Sequence, residues 1–458
     1  MIEIDPTVTA LDLAPQLHRL FELSAQKIRR LHDRWHPSDG APVFTVEGRY
    51  TSRGWTEWTQ GFQFGSALLQ FDATGDRSFL ELGRQATLQH MASHISHVGV
   101  HDHGFNNLST YGNLRRLMNE GKIPGDPWEH RFYELALKLS GAVQAARWTD
   151  LGDDQGFIFS FNGPHSLFAD TMRSLRSLAV AHRLGHALMS EKDRKISLLH
   201  RLIRHAECTA RHNVYFGRGR DAYDVPGRVA HESIFNVRDG SYRCPSTQQG
   251  YSPFTTWTRG HAWILCGYAE QLEFLESLDN RELEPYGGKR TLTQRFREVA
   301  ETTANYYLEQ ACSDGIVYWD TGAPGLMRLG DYRNRPAEPD NDWEPVDSSA
   351  ACIAAQGLLR LGLYLRARSE DALAERYTQA ALTIARRLFA APYLSENLTH
   401  EGLILHSVYH RPNGWDHTPP GKSIPMGEAS MWGDYHAREL ALLLLREAAG
   451  EPGFCFFT

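Results

Sequence analysis

The sequence predicts an all-α protein, an (α/α)6 barrel of six helical hairpins with a small β-hairpin at its mouth, built as one domain over residues 1–458. Three observations lead there. Apolar residues recur every three or four positions over windows too long for strands, giving twelve helical segments. The links between segments alternate between short turns and long connections rich in aromatic residues and glycine. Helices that follow long links begin with small and polar residues (WTQGFQFG, SLFADTM, TWTRGHAW, VDSSAACIAAQG, SMWGDYHA), which lets inner helices approach closely and turns polar groups toward a cavity.

Taken in order, the first helix spans 11–36 and the long link 37–57 follows. Helix 58–73 joins 77–97 through FDATGDRSF, where Gly and Asp stop one helix and cap the next. After the link 98–106 come helices 107–120 and 127–149, then the link 150–165. Helix 166–184 runs into 190–212 through HRLGHALMSEKD. The link 213–255 contains RVAHESIFNVRDGSYRC, which alternates in strand fashion around an RDG turn and is the predicted hairpin. Helices 256–278 and 293–312 precede the link 313–346. Helices 347–367 and 369–390 meet at ARSEDALAE, and 431–449 closes the chain after the link 391–430. In a closed ring the long links share one end, which becomes a functional mouth. A solenoid of paired helices is the competing architecture; unequal loops and the lack of a fixed repeat count against it.

With 41% hydrophobic and 22% charged residues, the chain has the balance of a folded soluble protein with a large core. A net charge of −7 argues against nucleic acid or an anionic membrane as partner. The six cysteines lack CxxC spacing, so they read as mostly reduced and buried. The acidic start MIEIDPTVTALDL lacks the features of a secretory signal and no membrane-length apolar run occurs, so a cytoplasmic location is expected. The oligomeric expectation is a monomer or homodimer.

Two carboxylates stand out. Asp170, in SLFADTMRSLRSL, is either a helix-dipole partner or an acid at a cavity floor. Asp102, in VHDHGF, is either turn chemistry or a second site acid. Two acids at one end of a barrel are the minimum for acid/base work on a glycosidic system. In QGYSPFTTWTRGHAW, Trp257 and Trp263 beside Arg259 suit a sugar acid, with indole against the ring and guanidinium against the carboxylate. The competing account makes the tryptophans core and Arg259 an internal ion pair. Asp347 reads as the cap of a small-residue inner helix, and Trp432, Asp434 and Tyr435 as barrel closure or ligand contact. HDH offers three ligand-type side chains, but adjacent residues rarely converge on one ion, and no HExxH or phosphate cradle accompanies it. No metal and no cofactor are expected.

WTQGF at 58–62, HDHGF at 101–105, FADTM at 168–172, His231, QGYS at 249–252, WTRGHAW at 257–263, DSSAA at 347–351 and WGDY at 432–435 together resemble the unsaturated glucuronyl hydrolases, glycoside hydrolase family 88. The resemblance runs from Trp58 to the last helix and implies an (α/α)6 barrel. It implies removal of a 4,5-unsaturated uronic acid from lyase-generated oligosaccharides by hydration of the C4=C5 double bond. It further implies Asp170 as general acid/base and Asp102 as the second essential carboxylate. His101, His231 and Gln249 would contact the unsaturated ring; Trp58, Trp257 and Trp263 would wall it, and Arg259 would supply charge near the carboxylate or water site. Phe161 stands where the family commonly has tryptophan. Arg173, Ser174 and Arg176 replace an apolar run, His261 a glutamine and His103 an aliphatic residue, and the segment 213–230 is longer and more basic. These departures mark a divergent branch, altered on the leaving-group side. An unsaturated rhamnogalacturonyl hydrolase, a sugar epimerase and a noncatalytic glycan-binding barrel are the alternatives.

Overall fold

A computed structural model describes residues 1–54 and 57–457; within the long link 37–57, residues 55 and 56 lie outside the described residues. Six inner units alternate with six outer helices along the described chain. The outer helices are α1 (Ala10–Arg34), α3 (Arg77–His90), α5 (Pro127–Ala146), α7 (Leu198–His212), α9 (Gly288–Gln310) and α11 (Asp371–Leu388). The inner units are α2 (Gln60–Thr74), α4 (103–119, interrupted by a π-helical turn Leu108–Gly112), α6 (171–183, broken at Leu175), α8 (Thr258–Glu276), α10 (Ser348–Arg366) and α12 (Met431–Ala448). Each inner unit packs on the next, and α12 packs back on α2, so the ring is closed and not a solenoid.

The two rings differ in sequence for a physical reason. Helix α10, SSAACIAAQGLLRLGLYLR, is buried almost all round, as a helix flanked on every side must be. Helix α1 instead buries Leu13, Leu17, Leu20 and Leu31 on one stripe and shows charge on the other. Close approach within the inner ring needs glycine. A Cβ at Gly61 would lie 2.3 Å from the Asn106 carbonyl oxygen, and one at Gly104 would lie 2.1 Å from that of Ser174. Gly104 therefore seats α4 against α6; its role is helix contact. Gly104→Ala is expected to cost about 1–3 kcal/mol through overpacking, read as a lower midpoint in urea unfolding at unchanged m.

Local departures from the sequence reading have local causes. The helix predicted over 166–184 begins instead at Thr171, because Ser166–Phe168 pairs antiparallel with Glu232–Phe235. That strand pairs in turn with Tyr242–Ser246, so the predicted hairpin exists with a third strand added. The link HRLGHALMSEKD and the start of the helix predicted at 190 form a hairpin, Ala187–Ser190 with Arg194–Ser197, and α7 starts at Leu198. Helix α5 stops at Ala146, where another hairpin, Trp148–Gly152 with Gln155–Ile158, takes over. Of the six free cysteines, four are buried, Cys455 is half-buried and Cys244 is exposed. Among the described residues no helix is long and apolar enough to cross a membrane.

Candidate active site

Five of the six long links, all but 313–346, contribute described residues to a cavity of about 620 Å³ at one end of the barrel. Of the sequence-predicted residues, Trp58, His101, Asp102, Phe161, Asp170, Gln249, Trp257, Arg259 and Trp263 line it. His231 is not among the lining residues.

Asp102 occupies the position just before α4 and Asp170 the one just before α6, so neighbouring inner units present their acids side by side. Between them sits His101, whose Nε2 is 3.7 Å from Asp102 Oδ1 and 3.5 Å from Asp170 Oδ1. All three side chains are nearly buried. Burial pushes Asp102 up, to about 6, and the nearby Asp170 adds to it despite the opposing His101. Burial also pushes Asp170 up, but the His101 imidazole 3.5 Å away outweighs it and brings it net below the ordinary carboxylate value. Burial works against charge on His101, yet the two carboxylates outweigh it and raise its pKa. The two carboxylates thus favour the protonated imidazole, and Asp102 is held higher than Asp170. Ligand-type atoms of His101, Asp102 and Asp170 lie within 4.8 Å of one another, so the metal idea discounted for HDH has a spatial form that the sequence could not show: Asp170 replaces His103 as third donor.

Aromatic walls rise from this floor. Trp58 stacks on Trp432 at 5.2 Å, and Trp263 packs on Phe105 at 4.9 Å. Phe161, 42% exposed, is at the rim and lies parallel to the His101 ring. Arg259 is buried between the Trp257 and Trp432 rings. Its Nη1 binds Asp347 Oδ2 at 3.0 Å and the Val408 carbonyl; its Nη2 binds Gln249 Oε1 at 2.8 Å and the Tyr409 carbonyl at 2.7 Å. The internal ion pair is thus the arrangement seen, and the guanidinium is occupied in holding wall residues. Because the Gln249 oxygen is taken, its amide nitrogen is what remains for a ligand. Asp347 also caps α10 through the Ser349 backbone N–H.

His231 lies behind the wall. Its Nδ1 accepts the backbone N–H of Gln248 at 3.0 Å and of Gln249 at 3.3 Å, and its ring packs 4.5 Å from Phe168 and 4.6 Å from Trp257. It sets the 248–249 turn from the rear, where the sequence reading had it touching the ring. Burial pushes it down, to about 4, so it serves as a neutral acceptor.

Most of the departures flagged in the sequence lie away from the cavity. His103 bridges Ser140 Oγ and the His97 carbonyl inside the barrel wall, and His261 packs against Tyr306 and Tyr307. Burial holds both neutral. Arg173 binds Glu270 and, at 3.1 Å, Glu439, while Arg176 lies near the same two acids at 3.7 and 3.6 Å. This is a buried ionic lattice below the floor, and it does not form a leaving-group pocket. Asp434, which accepts from Tyr50 and the Leu403 and Ile404 backbone N–H groups, is structural too. The segment SVYHRPNGWDH escaped the sequence reading: Tyr409, His410, Asn413 and Trp415 line the mouth, with Asp416 holding the backbone N–H groups of Tyr409 and His410. Its density of aromatic residues beside Pro-Asn-Gly was the available signal.

No protein-family model matches the chain. Across most of its length it is similar to curated hydrolases. An "unsaturated glucuronyl hydrolase" of Bacillus sp. (strain GL1) is 25% identical over 441 residues, 93% of this chain and 95% of that protein. An "unsaturated chondroitin disaccharide hydrolase" of Streptococcus pyogenes serotype M1 is 25% identical over 424 residues, 92% and 90% of the two. The crystal structure of the unsaturated glucuronyl hydrolase of Bacillus sp. GL1 superposes with a TM-score of 0.69 at 22% identity, covering 96% of this chain and 97% of that one. The chain has the fold of that enzyme.

Proposed function

We propose that this chain is a glycoside hydrolase that removes a 4,5-unsaturated uronic acid from the non-reducing end of lyase-generated oligosaccharides. The observation that carries the reading is the Asp102–His101–Asp170 triad at the base of an indole-walled cavity, in a chain similar over nine-tenths of its length to unsaturated uronyl hydrolases. Asp170 delivers a proton to C4 of the enol acid and, now ionised, takes one from the water that adds to the oxocarbenium-like C5. The hemiketal so formed opens and expels the aglycone. Asp102 and His101 hold the proton supply. A bound uronate brings negative charge and displaces water, and both raise carboxyl pKa values. Substrate binding thereby draws a proton onto a pair of acids that, unliganded, share only the one on His101. Trp58, Trp257 and Trp263 pack the ring, the Gln249 amide donates to it, and Arg259 positions Gln249 and the 408–409 backbone. Tyr409, His410, Asn413 and Trp415 face the aglycone.

The experiment is turnover of a panel of unsaturated disaccharides, from glycosaminoglycans and from pectin, followed by loss of the ultraviolet absorbance of the conjugated enol acid, with and without EDTA. Consumption of at least one member, unchanged by EDTA, is expected. Consumption of pectin-derived members alone identifies the rhamnogalacturonyl activity. Epimerised product with absorbance retained identifies an epimerase. Binding without turnover of any member sinks the hydrolase reading.

A further inference from the structure

Helix α5 carries two apolar faces. Its inner face buries Tyr133, Ala136, Leu137 and Gly141 against the barrel. On the opposite side Trp128, Phe132, Leu135 and Leu139 are 80, 44, 54 and 44% exposed. The spacing is 4, 3, 4, the seam of a helix that pairs with another helix. Outer helices α1 and α11 instead turn charged residues such as Arg30 and Glu375 to solvent. Met189, on the strand packed beside α5, is 54% exposed and widens the patch.

We propose that this seam is the two-fold interface of a homodimer, with α5 lying antiparallel on α5 of a second copy. An axis between Phe132 and Leu135 makes the seam self-complementary, as a two-fold requires. Trp128 then faces Leu139 of the second copy, and Phe132 faces Leu135. With roughly 150–250 Å² on each large aromatic side chain, the four anchors expose on the order of 400–500 Å² per copy, and both copies with their rim reach the about 1,000 Å² that a specific interface needs.

Sedimentation velocity from about 1 to 100 µM, a range set by the affinity of interfaces this size, is expected to show a monomer–dimer equilibrium. Leu135→Glu, at an exposed position, is expected to weaken it at least tenfold with an unchanged melting curve. In a Cys244→Ser background, mixing Phe132→Cys with Leu135→Cys chains is expected to give the mixed disulfide in excess over either homodisulfide. A monomeric wild type across the range overturns the proposal, as does a dimer insensitive to Leu135→Glu. A wild-type monomer that binds phosphatidylcholine/phosphatidylglycerol vesicles through the seam also overturns it and assigns the face to lipid.

Discussion

Asp170→Asn is expected to lower kcat/KM on the unsaturated disaccharide by at least about 10³-fold, within the range that general acid–base groups supply, while KM changes little. The amide keeps the shape of the carboxyl group but cannot shuttle a proton between His101 and C4. The position tolerates the swap because Asp170 Oδ1 accepts no conventional hydrogen bond from the protein that an amide would break. The carboxylate also carries His101: with it gone, one of two charges sustaining the imidazolium is lost, and the His101 pKa falls. Single-turnover kinetics on the purified variant, with circular dichroism to verify the fold, are the measurement. A variant retaining more than a tenth of wild-type kcat would remove Asp170 from the proton-transfer role.

Asp102→Asn is expected to do two opposite things, inactivating the enzyme while stabilising the fold. The sign follows from burial. In the folded protein Asp102 titrates at about 6, above the ordinary 3.8, so folding favours its protonated form. What the neutral group offers is fully present below pH 3.8 and is lost as pH rises through about 6. Above that, the ionised buried carboxylate costs on the order of 3 kcal/mol, from about 1.4 kcal/mol per pH unit. Asparagine never ionises. The variant's advantage in chemical denaturation should therefore grow between pH 4 and pH 6 and level off beyond, less whatever His101 loses when one of its carboxylates is removed. A variant less stable than wild type at pH 7 would mean that Asp102 is held by interactions an amide cannot replace. Such a gain at the expense of activity is the mark of a site whose electrostatics serve the reaction and not the fold.

How much of this was legible depended on the kind of signal each residue carries. Helix α10 was readable to within a residue, because a run of small apolar residues after Asp347 can only be an inner helix with a cap. The hairpin around the RDG turn was readable from its alternation. The strand Ser166–Phe168 was not, since three apolar residues fit a helix as well as a strand until Glu232–Phe235 is there to pair with. Arg173 and Arg176 read only as departures bearing on the leaving-group side, because sequence alone does not show that Glu270 and Glu439 approach from two other helices. His103 and His261 were conspicuous in the sequence and proved to be core histidines with neutral rings.

The barrel and its mouth were determined by sequence alone, since periodicity, link length and capping chemistry are local properties; Asp102 and Asp170 were singled out there with more than one role open to each. The tertiary structure decided what each polar group does. It put His101 between Asp102 and Asp170 and His231 behind the wall, spent Arg259 on Asp347 and Gln249, and brought Tyr409 and Trp415 to the mouth. The physical reason is that a side chain's charge state and free hydrogen-bonding capacity are set by neighbours within a few ångströms, and here many of those neighbours come from different elements, tens of residues apart in the chain.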